Sequence, residues 1–434
     1  MKSNRGIFLI GSYNGQDSMG DKCLLRVVSS RFRQLLPDDV PIYFHAENTE
    51  ELQPGGALEE APVVAQQGMQ SYFWNWHTKL RHTQLPDPLH LKTSVATFPL
   101  AARTYYRNDE TLQSALRQLR QSAFMFVFGG TQFTKQWWRM NLVPYMLMAR
   151  MADLPVYFGT QQYGPMTEEQ QRRTQAFIRE RVEGVRFRNP TCMPELGMQG
   201  EMEKLTRDEV FSNTQVYPVV EARSGTSSGE KTVLVNFRGE QEFLSDDAGQ
   251  ARLDNLVAYL RALHEQLECS FTLFSVSGPE FCDDTECFGY IRENLPEVEV
   301  NELPYTDAYG HIEAAKDAYA AVSMSFHGCI LSMIAGCPAI PITHGKYYNH
   351  KYIGFENYNP DTPIPTFYVD EAPDDTLIER SVDYFRQYDP EAVAGERRRH
   401  NKKIDAFYRG ILEDHGLLGE SPTAEEPATV AAHG

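Results

Sequence analysis

The segment AYAAVSMSFHGCILSMIAGCPAIPI, residues 318–342, places a histidine between two apolar runs. Ser325 precedes the second run and predicts the N-cap of a helix, so that His327 falls in its first turn. Unpaired backbone amides and the helix dipole favour an anion there, and Gly328 lets a ligand approach the backbone closely. Since histidine transfers protons near neutral pH, the segment predicts acid or base chemistry beside a bound anion. The alternative is a packed histidine that hydrogen-bonds to a neighbouring carbonyl.

Basic residues follow two further apolar runs. Arg238 comes directly after VLVNF, and its guanidinium can hold a phosphate or a carboxylate with two parallel hydrogen bonds. The segment ITHGKYYNHKYIGF carries Lys346, Lys351 and two histidines within eight positions. Each has a structural alternative, because Arg238 can pair with Glu240 at the surface and Lys351 can simply be solvated.

The first apolar run ends in the glycine-rich segment FLIGSYNGQDSMGD, residues 8–21. Its glycines match neither the dinucleotide-binding spacing nor the GxxxxGK[ST] pattern, so the loop alone predicts no nucleotide site. Asp21 stands near the start of the following helix. It can act as a base or orient an acceptor, or it can cap the helix.

Apolar strands alternate with helices along most of the chain, and these elements must position the polar residues. Strands apolar on both faces in such an alternation predict parallel sheets covered on both sides, an α/β fold. The small polar segment RSGTSSGEK, residues 223–231, is typical of a linker, and the alternation of strands and helices begins again after it. We therefore expect two doubly wound domains, with ligands bound in a cleft at the carboxyl ends of the strands. The predicted limits are residues 1–222, 232–415 and a disordered tail at 416–434 that is poor in large apolar residues.

Residues 60–110 fit neither strand nor helix periodicity well. They include SYFWNWHTKLRHTQ, a segment rich in aromatic residues and histidine that contains Trp76. The segment predicts either the lining of an acceptor site or aromatic filling of a core.

The charge balance argues against nucleic acid as a partner. The chain of 434 residues has 41 basic and 59 acidic residues and a net charge of −18, which would repel a phosphate backbone. The first apolar run, GIFLI, is shorter than a signal-peptide core, and no run approaches the roughly 20 apolar residues of a spanning helix. These features predict a cytoplasmic protein without an integral membrane segment.

The seven cysteines are scattered through the chain, which favours reduced thiols over a disulfide framework. Cys282 and Cys287 form the one close pair. Without a matching second pair, surface thiols in an acidic loop are favoured over a zinc site. The acidic residues near the strand ends are not grouped as metal ligands, so no metal is expected.

Taken in order, these motifs resemble the polysaccharide pyruvyl transferase family over residues 6–356. The most specific element is SFHGCILSMIAGCPAI, which is similar to the family's RLHALIFALAAGVPVI-like block. Two positions depart from the family, since Ser325 replaces an arginine and Ser18 replaces an asparagine. The other similar elements are Gly20 with Asp21, VFGGTQF, GTQQYGP with Gln161, Gly164 and Pro165, Arg188 in VRFRNP, Arg238, and Lys351.

The resemblance implies two Rossmann-like domains that face a cleft, as in GT-B glycosyltransferases. It also implies a transferase with phosphoenolpyruvate as donor substrate, a carbohydrate acceptor and no cofactor. The enolpyruvyl group would move onto a pair of sugar hydroxyls in polysaccharide or glycoconjugate biosynthesis, which yields a pyruvate ketal and free phosphate.

This chemistry needs a proton for the methylene carbon, a base for the attacking hydroxyl and cationic support for the departing phosphate. We expect His327 to be the general acid or base and Asp21 to orient or deprotonate the acceptor. Arg238 and Lys351 are expected to bind the donor's phosphate and carboxylate. Further donor-binding residues are expected at Ser325, Gly328, Lys346 and Arg188, and acceptor-binding residues at Gly20, Gln161 and Trp76. Lys346, Lys351 or Arg188 would replace the charge that Ser325 lacks.

Two other functions fit the same residues. A GT-B-type glycosyltransferase would use the basic residues to bind the diphosphate of a nucleotide sugar. A repurposed, non-catalytic member would bind an anionic metabolite or a protein partner, and the serine at position 325 is the feature that favours it.

Overall fold

A computed structural model provides the structure of the chain, and it describes the residues on which the two halves of the molecule are built. Residues 223–230 of the predicted linker and 420–434 of the predicted tail lie outside the described part. The described residues are 5–11, 18–46, 63–67, 69–80, 87–131, 133–135, 138–218, 231–238, 248–277, 284–303, 305 and 307–419.

The first half, here called the N-terminal unit, contains a six-stranded sheet in the order β3-β2-β1-β4-β5-β6. Every neighbouring pair is parallel, and the order is that of a doubly wound fold. The strands are β1 (Gly6–Gly11), β2 (Ile42–Ala46), β3 (Val63–Gln67), β4 (Ser122–Phe128), β5 (Val156–Gln161) and β6 (Val182–Phe187).

Helices connect these strands and cover the sheet, and several begin at well-formed caps. The Asp109 side chain accepts a hydrogen bond from the first turn of one helix, and Thr167 with Gln170 forms a capping box at another. The helices are α1 (Met19–Leu35), α2 (Met69–Leu80), α3 (Asp87–Thr104), α4 (Glu110–Gln121), α5 (Trp138–Ala152), α6 (Glu168–Arg181), α7 (Cys192–Glu195) and α8 (Glu209–Ser212).

The second half, the C-terminal unit, repeats the same topology. Its sheet has the order β12-β11-β10-β7-β8-β9, which is the order of the first sheet when the strands are counted from β7. The strands are β7 (Lys231–Asn236), β8 (Cys269–Phe274), β9 (Val300–Leu303), β10 (Ala320–Ser323), β11 (Ala339–Thr343) and β12 (Phe367–Tyr368). The helices are α9 (Gly249–Leu267), α10 (Phe288–Asn294), α11 (Ala308–Asp317), α12 (Phe326–Ile334), α13 (Gly345–Tyr352), α14 (Asp375–Gln387) and α15 (Pro390–Asp414).

The two parallel sheets confirm the predicted α/β fold. All seven residues of β4 are buried, as are all residues of β10 and β11, because helices cover both faces of each sheet. Within the described residues, no helix is long and apolar enough to cross a membrane.

Within residues 60–110, the described part of the aromatic segment, up to Leu80, belongs to helix α2, and helix α3 follows from Asp87, although the sequence periodicity of both is weak. Phe73 of α2 and Phe98 of α3 pack edge to face with ring centroids 5.6 Å apart. Pro99 lies inside α3, where it interrupts the helical pattern of the sequence. Aromatic packing thus holds these two helices together without the regular apolar stripe by which an amphipathic helix is predicted from sequence.

The C-terminal helix α15 returns to the N-terminal unit. Tyr408 packs on Phe32 of α1 with ring centroids 4.5 Å apart, and Asp405 pairs with the buried Arg31. The helix therefore ties the last part of the chain to the first sheet. The domain limits expected at residues 222, 232 and 415 remain a prediction.

Candidate active site

His327 lies at the carboxyl edge of the second sheet, in the first turn of α12, which follows β10. The Ser325 hydroxyl caps α12 by accepting a hydrogen bond from the Gly328 N–H at 3.2 Å. The Ser325 N–H donates in turn to Oδ1 of Asn236, the last residue of β7, at 3.1 Å. The turn is thereby tied to two adjacent strands. The His327 side chain is 13% exposed, so a substrate can reach the fixed imidazole.

Gly20, at the start of α1, lies directly against the imidazole of His327. A Cβ atom at Gly20 would overlap the ring near Nδ1, so this approach requires glycine. The start of α1 is held in place by the Met19 N–H, which donates to the Val276 carbonyl at 3.1 Å. The N-terminal unit therefore forms one wall of the site.

Asp208 is a fully buried carboxylate that faces the other ring nitrogen. Its Oδ1 lies 3.7 Å from Nε2 of His327, too far for a direct hydrogen bond. Neither Oδ2 of Asp208 nor Nε2 of His327 has a hydrogen-bond partner. Burial by itself raises the pKa of Asp208, but His327 and Arg188 outweigh burial and hold that pKa below its ordinary value. An ionised carboxylate therefore stands beside the imidazole.

Arg188 follows β6 and is 2% exposed. It donates to Oε1 of Gln162 at 3.0 Å, and its Nη1 lies 3.8 Å from Oδ2 of Asp208. The guanidinium carbon stands 4.1 Å from the ring centroid of Phe326, the residue before His327, which is a cation–π contact. Its Nε has no hydrogen-bond partner. A fixed cation with an unused donor thus stands beside the histidine.

Lys351, in the last turn of α13, belongs to the same group of charges. Burial, followed by the charges of Arg238 and Arg188, lowers the pKa of Lys351 to about 7, while Asp21 acts in the opposite direction. We call Arg188, Arg238 and Lys351 the cation cluster. Because its members disfavour one another's charge, an anion that enters the cluster would favour the protonated lysine.

Both units contribute to the surroundings of this cluster. Arg238 follows β7 and donates to Oγ of Ser277 at 3.2 Å. The hydroxyl of Tyr347 on α13 lies 2.8 Å from the hydroxyl of Thr131 in the N-terminal unit. Burial raises the pKa of Tyr347, whereas the charges of Arg188 and Arg238 lower it. The tyrosine stays a neutral hydrogen-bonding group between the two units.

Most of the residues expected from the sequence meet around His327, but three take other positions. Lys346 is exposed, because it is five residues from Lys351 and about 140° away around α13. Trp76 packs in the aromatic cluster of α2 and α3, where its indole N–H donates to Oγ1 of Thr97 at 3.0 Å. Gln161 is fully buried and donates to the Val127 carbonyl at 2.9 Å. The residues that meet are His327, Gly20, Ser325, Gly328, Arg188, Arg238, Lys351 and Asp21.

Sequence reasoning missed Asp208 and Gln162. Asp208 precedes the short helix α8 and caps it by accepting a hydrogen bond from the Val210 N–H at 2.9 Å. The segment KLTRDEVFSNT around it has neither strand nor helix periodicity. Its one signal is an Arg-Asp-Glu triplet, and all three of these residues are buried.

No metal site is found in the described part of the chain, where no group of three or more His, Cys, Asp or Glu side chains could hold an ion. Of the cysteine pair, Cys282 lies outside the described residues. Cys287 is fully buried, so the reading of it as a surface thiol is wrong. Its side chain packs in the core of the C-terminal unit.

Residues 245–346 match the family model of polysaccharide pyruvyl transferase. This match confirms the resemblance. It spans α9 to the start of α13 and includes the turn that carries His327. No curated protein matches the chain by sequence.

Solved structures of sugar-nucleotide enzymes share the fold. S. aureus MnaA, solved with UDP, has 10% identity and a TM-score of 0.56, over 97% of this chain and 100% of MnaA. The UDP-N-acetylglucosamine 2-epimerase from Rickettsia bellii has 10% identity and a TM-score of 0.54, over 95% and 97% of the two chains. A glycosyltransferase from Rickettsia africae has 8% identity and a TM-score of 0.51, over 95% and 99%. At these identities the likeness shows a GT-B-like fold alone.

Proposed function

We propose that this protein transfers the enolpyruvyl group of phosphoenolpyruvate to a pair of sugar hydroxyls and releases phosphate. The observation that carries the proposal is the meeting of the cation cluster with His327 and Asp208, next to the segment that matches pyruvyl transferases. Phosphoenolpyruvate carries a phosphate and a carboxylate on the same carbon, C2. Two guanidinium groups and an ammonium group suit both anions.

The donor would lie with its anionic groups in the cation cluster and at the start of α12. The positive end of that helix dipole adds to the attraction. Arg188 takes the part of the arginine that the family has at position 325. It is held against the Phe326 ring and has an unused Nε donor, so it presents a cation next to His327 from the other unit. Ser325 is then free to serve as the cap of α12.

The reaction balances with these groups. One acceptor hydroxyl adds to C2 of the enol phosphate while C3 takes a proton from the imidazolium of His327. C3 thereby becomes a methyl group. The second hydroxyl then displaces phosphate from C2 and closes the ketal, and its proton leaves with the phosphate. The proton of the first hydroxyl returns to His327. The buried carboxylate of Asp208, 3.7 Å from Nε2 of His327, would orient the ring and balance the charge of the imidazolium that donates the proton.

Phosphate release tests the proposal directly. Purified protein is incubated with phosphoenolpyruvate and a panel of galactosides, glucosides and amino sugars, and free phosphate is measured. We expect release with at least one acceptor, and loss of release in Arg238→Ala. Arg292→Ala is the matched control, since Arg292 is an exposed arginine of the same unit that pairs with Glu302 at the surface. Release that is equal in Arg238→Ala and wild type would disprove the proposed donor site.

A nucleotide-sugar glycosyltransferase is the second candidate, favoured by the fold shared with MnaA, which was solved with UDP. The cation cluster could bind a diphosphate with the same groups. Thermal unfolding separates the two candidates, because a ligand stabilises the protein it binds. A rise in melting temperature with phosphoenolpyruvate but not with UDP supports pyruvyl transfer, and the reverse supports glycosyl transfer. A rise with phosphoenolpyruvate but no turnover with any acceptor indicates a non-catalytic anion-binding protein.

A further inference from the structure

A second pocket lies in the C-terminal unit, beside β11, β12 and α13. It has a volume of about 300 Å³, enough for one small molecule the size of a sugar ring. Its walls combine an aromatic ring, aliphatic side chains, hydroxyls, an amide and two opposite charges. The lining residues used below are Thr343, Asn349, Glu356, Ile364, Tyr368 and Arg380.

Two polar atoms of the lining residues are buried and lack a hydrogen-bond partner within the protein. Thr343, the last residue of β11, is fully buried, and its Oγ1 makes no hydrogen bond. Oδ1 of Asn349 on α13 is likewise buried without a partner. An unsatisfied buried polar atom destabilises a fold, and a ligand with hydroxyl groups would remove that penalty. The amide oxygen of Asn349 only accepts, so the ligand must donate hydrogen bonds.

The remaining walls suit the face of a pyranose ring. Tyr368 is the partner of Thr343 on the adjacent strand and is 50% exposed, although its ring lines the pocket. The buried side chain of Ile364 provides an apolar surface. Sugars present an apolar C–H face and a rim of hydroxyls, and a planar aromatic ring with amide and charged groups around it matches both. Glu356 and Arg380 supply an acceptor and a donor at the exposed rim.

We propose that this pocket binds one pyranose ring of a carbohydrate, at a site distinct from the cation cluster. Asn349 and Lys351 are two positions apart on α13 and project from opposite faces of the helix, so the helix separates the pocket from the cluster. The ligand is defined by its hydroxyls and apolar face. It can be a free sugar or one unit of a longer glycan.

Binding is tested by saturation-transfer NMR and calorimetry on the full-length protein with galactose, glucose, mannose and N-acetylglucosamine. Each is compared with a disaccharide of the same sugar. We expect at least one monosaccharide to bind. Tighter binding of its disaccharide indicates a glycan chain as the source, and equal binding indicates a free sugar. Absence of binding by every probe would overturn the proposal.

Two variants test whether the sugar binds in this pocket. Tyr368→Ala should weaken binding at least about tenfold through loss of the aromatic wall. Tyr105→Ala, at an exposed tyrosine directly after α3, is the control and should bind as wild type does. Thr343→Val should weaken binding about fivefold while the melting temperature stays equal or rises, because it removes an unpartnered hydroxyl at nearly constant volume. Unchanged affinity in both pocket variants would contradict the proposal.

The test is independent of the transfer reaction. His327→Ala removes the proposed proton donor but leaves the pocket behind α13 intact, so it should bind the sugar with wild-type affinity. Loss of sugar binding in His327→Ala would show that the sugar occupies the cleft between the units instead, and the pocket proposal would be wrong.

Discussion

Asp208 and Glu209 are adjacent in the chain and both are fully buried, yet they lie in two different regions of the molecule. Asp208 faces His327 and Arg188 where the two units meet, and these positive partners hold its pKa below the ordinary value in spite of burial. Glu209 faces the interior between α1 and α15. Burial raises its pKa, and the charge of Arg31, 4.0 Å away, only partly offsets that effect.

The difference shows that burial alone does not determine the role of a carboxylate. Oε1 of Glu209 accepts a hydrogen bond from the Tyr408 hydroxyl at 3.2 Å, and Arg31 already pairs with Asp405, so this region joins helices to one another. Asp208 instead faces a histidine that a substrate can reach. We propose that the first region serves stability and the second serves the transfer reaction, and the following changes test that division.

The largest effect is expected for His327→Ala. Loss of a general acid lowers turnover by about 10³-fold, because proton transfer to C3 then depends on water. The free energy of unfolding should change by less than about 1 kcal/mol, since the side chain makes no hydrogen bond through Nε2. Steady-state phosphate release and urea unfolding measure the two quantities. Turnover within a factor of three of wild type would contradict the assigned role.

Asp208→Asn should lower both activity and stability. The amide keeps the shape but removes the charge that stabilises the imidazolium, so kcat should fall about 10²-fold. Arg188 then loses its buried counter-charge, and the free energy of unfolding should fall by about 3 kcal/mol. Activity is therefore measured at a temperature where circular dichroism shows the variant folded. A stable variant with wild-type kcat would contradict the proposal that the region around Asp208 serves the reaction.

Arg188→Lys tests whether this arginine replaces the family arginine missing at position 325. Lysine retains the charge but not the planar group that stacks on Phe326 and donates to Gln162. The KM for phosphoenolpyruvate should rise about tenfold while kcat changes less. Arg261→Lys, at an exposed arginine that pairs with Glu297, is the control. Equal KM values in the two variants would exclude Arg188 from donor binding.

The pH dependence of donor affinity should reveal Lys351. Its pKa of about 7 means that the side chain is charged below pH 7 and neutral above it. Affinity for phosphoenolpyruvate should therefore fall as the pH rises above 7, by up to about tenfold per pH unit. Calorimetric titration between about pH 6 and pH 9 should show this slope in wild type and not in Lys351→Met. A slope that persists in the variant would assign it to another group.

Glu209→Gln should have the smallest effect. A carboxyl group with a raised pKa contributes stability at low pH and loses it as the pH rises through that pKa. Glutamine does not titrate, so the variant should differ from wild type by no more than about 1 kcal/mol and become relatively more stable as the pH rises through the raised pKa of Glu209. Guanidinium unfolding at several pH values measures this trend. A large loss of activity in a folded Glu209→Gln protein would contradict the proposal that Glu209, unlike Asp208, serves stability alone.

The sequence predicts the two sheets and much of the site because the strands, the helices and most of the site residues lie in continuous segments with recognisable patterns. Apolar runs that end in polar residues place Arg238 and His327 close to strand ends, and Lys351 in the helix that follows a third strand. Asp208 could not be predicted, because it lies in a segment without strand or helix periodicity. Its partners His327 and Arg188 are also distant from it in the sequence. Lys346 and Lys351 could not be distinguished by spacing alone, because only the orientation of α13 leaves one exposed and directs the other to the cluster.

A crystal structure with bound phosphoenolpyruvate would show whether the cation cluster is the donor site. We expect phosphate and carboxylate density within hydrogen-bonding distance of Arg188, Arg238 and Lys351, with the methylene carbon next to the His327 ring. Density for the anion at another place in the molecule, with the cation cluster empty at saturating ligand, would contradict it.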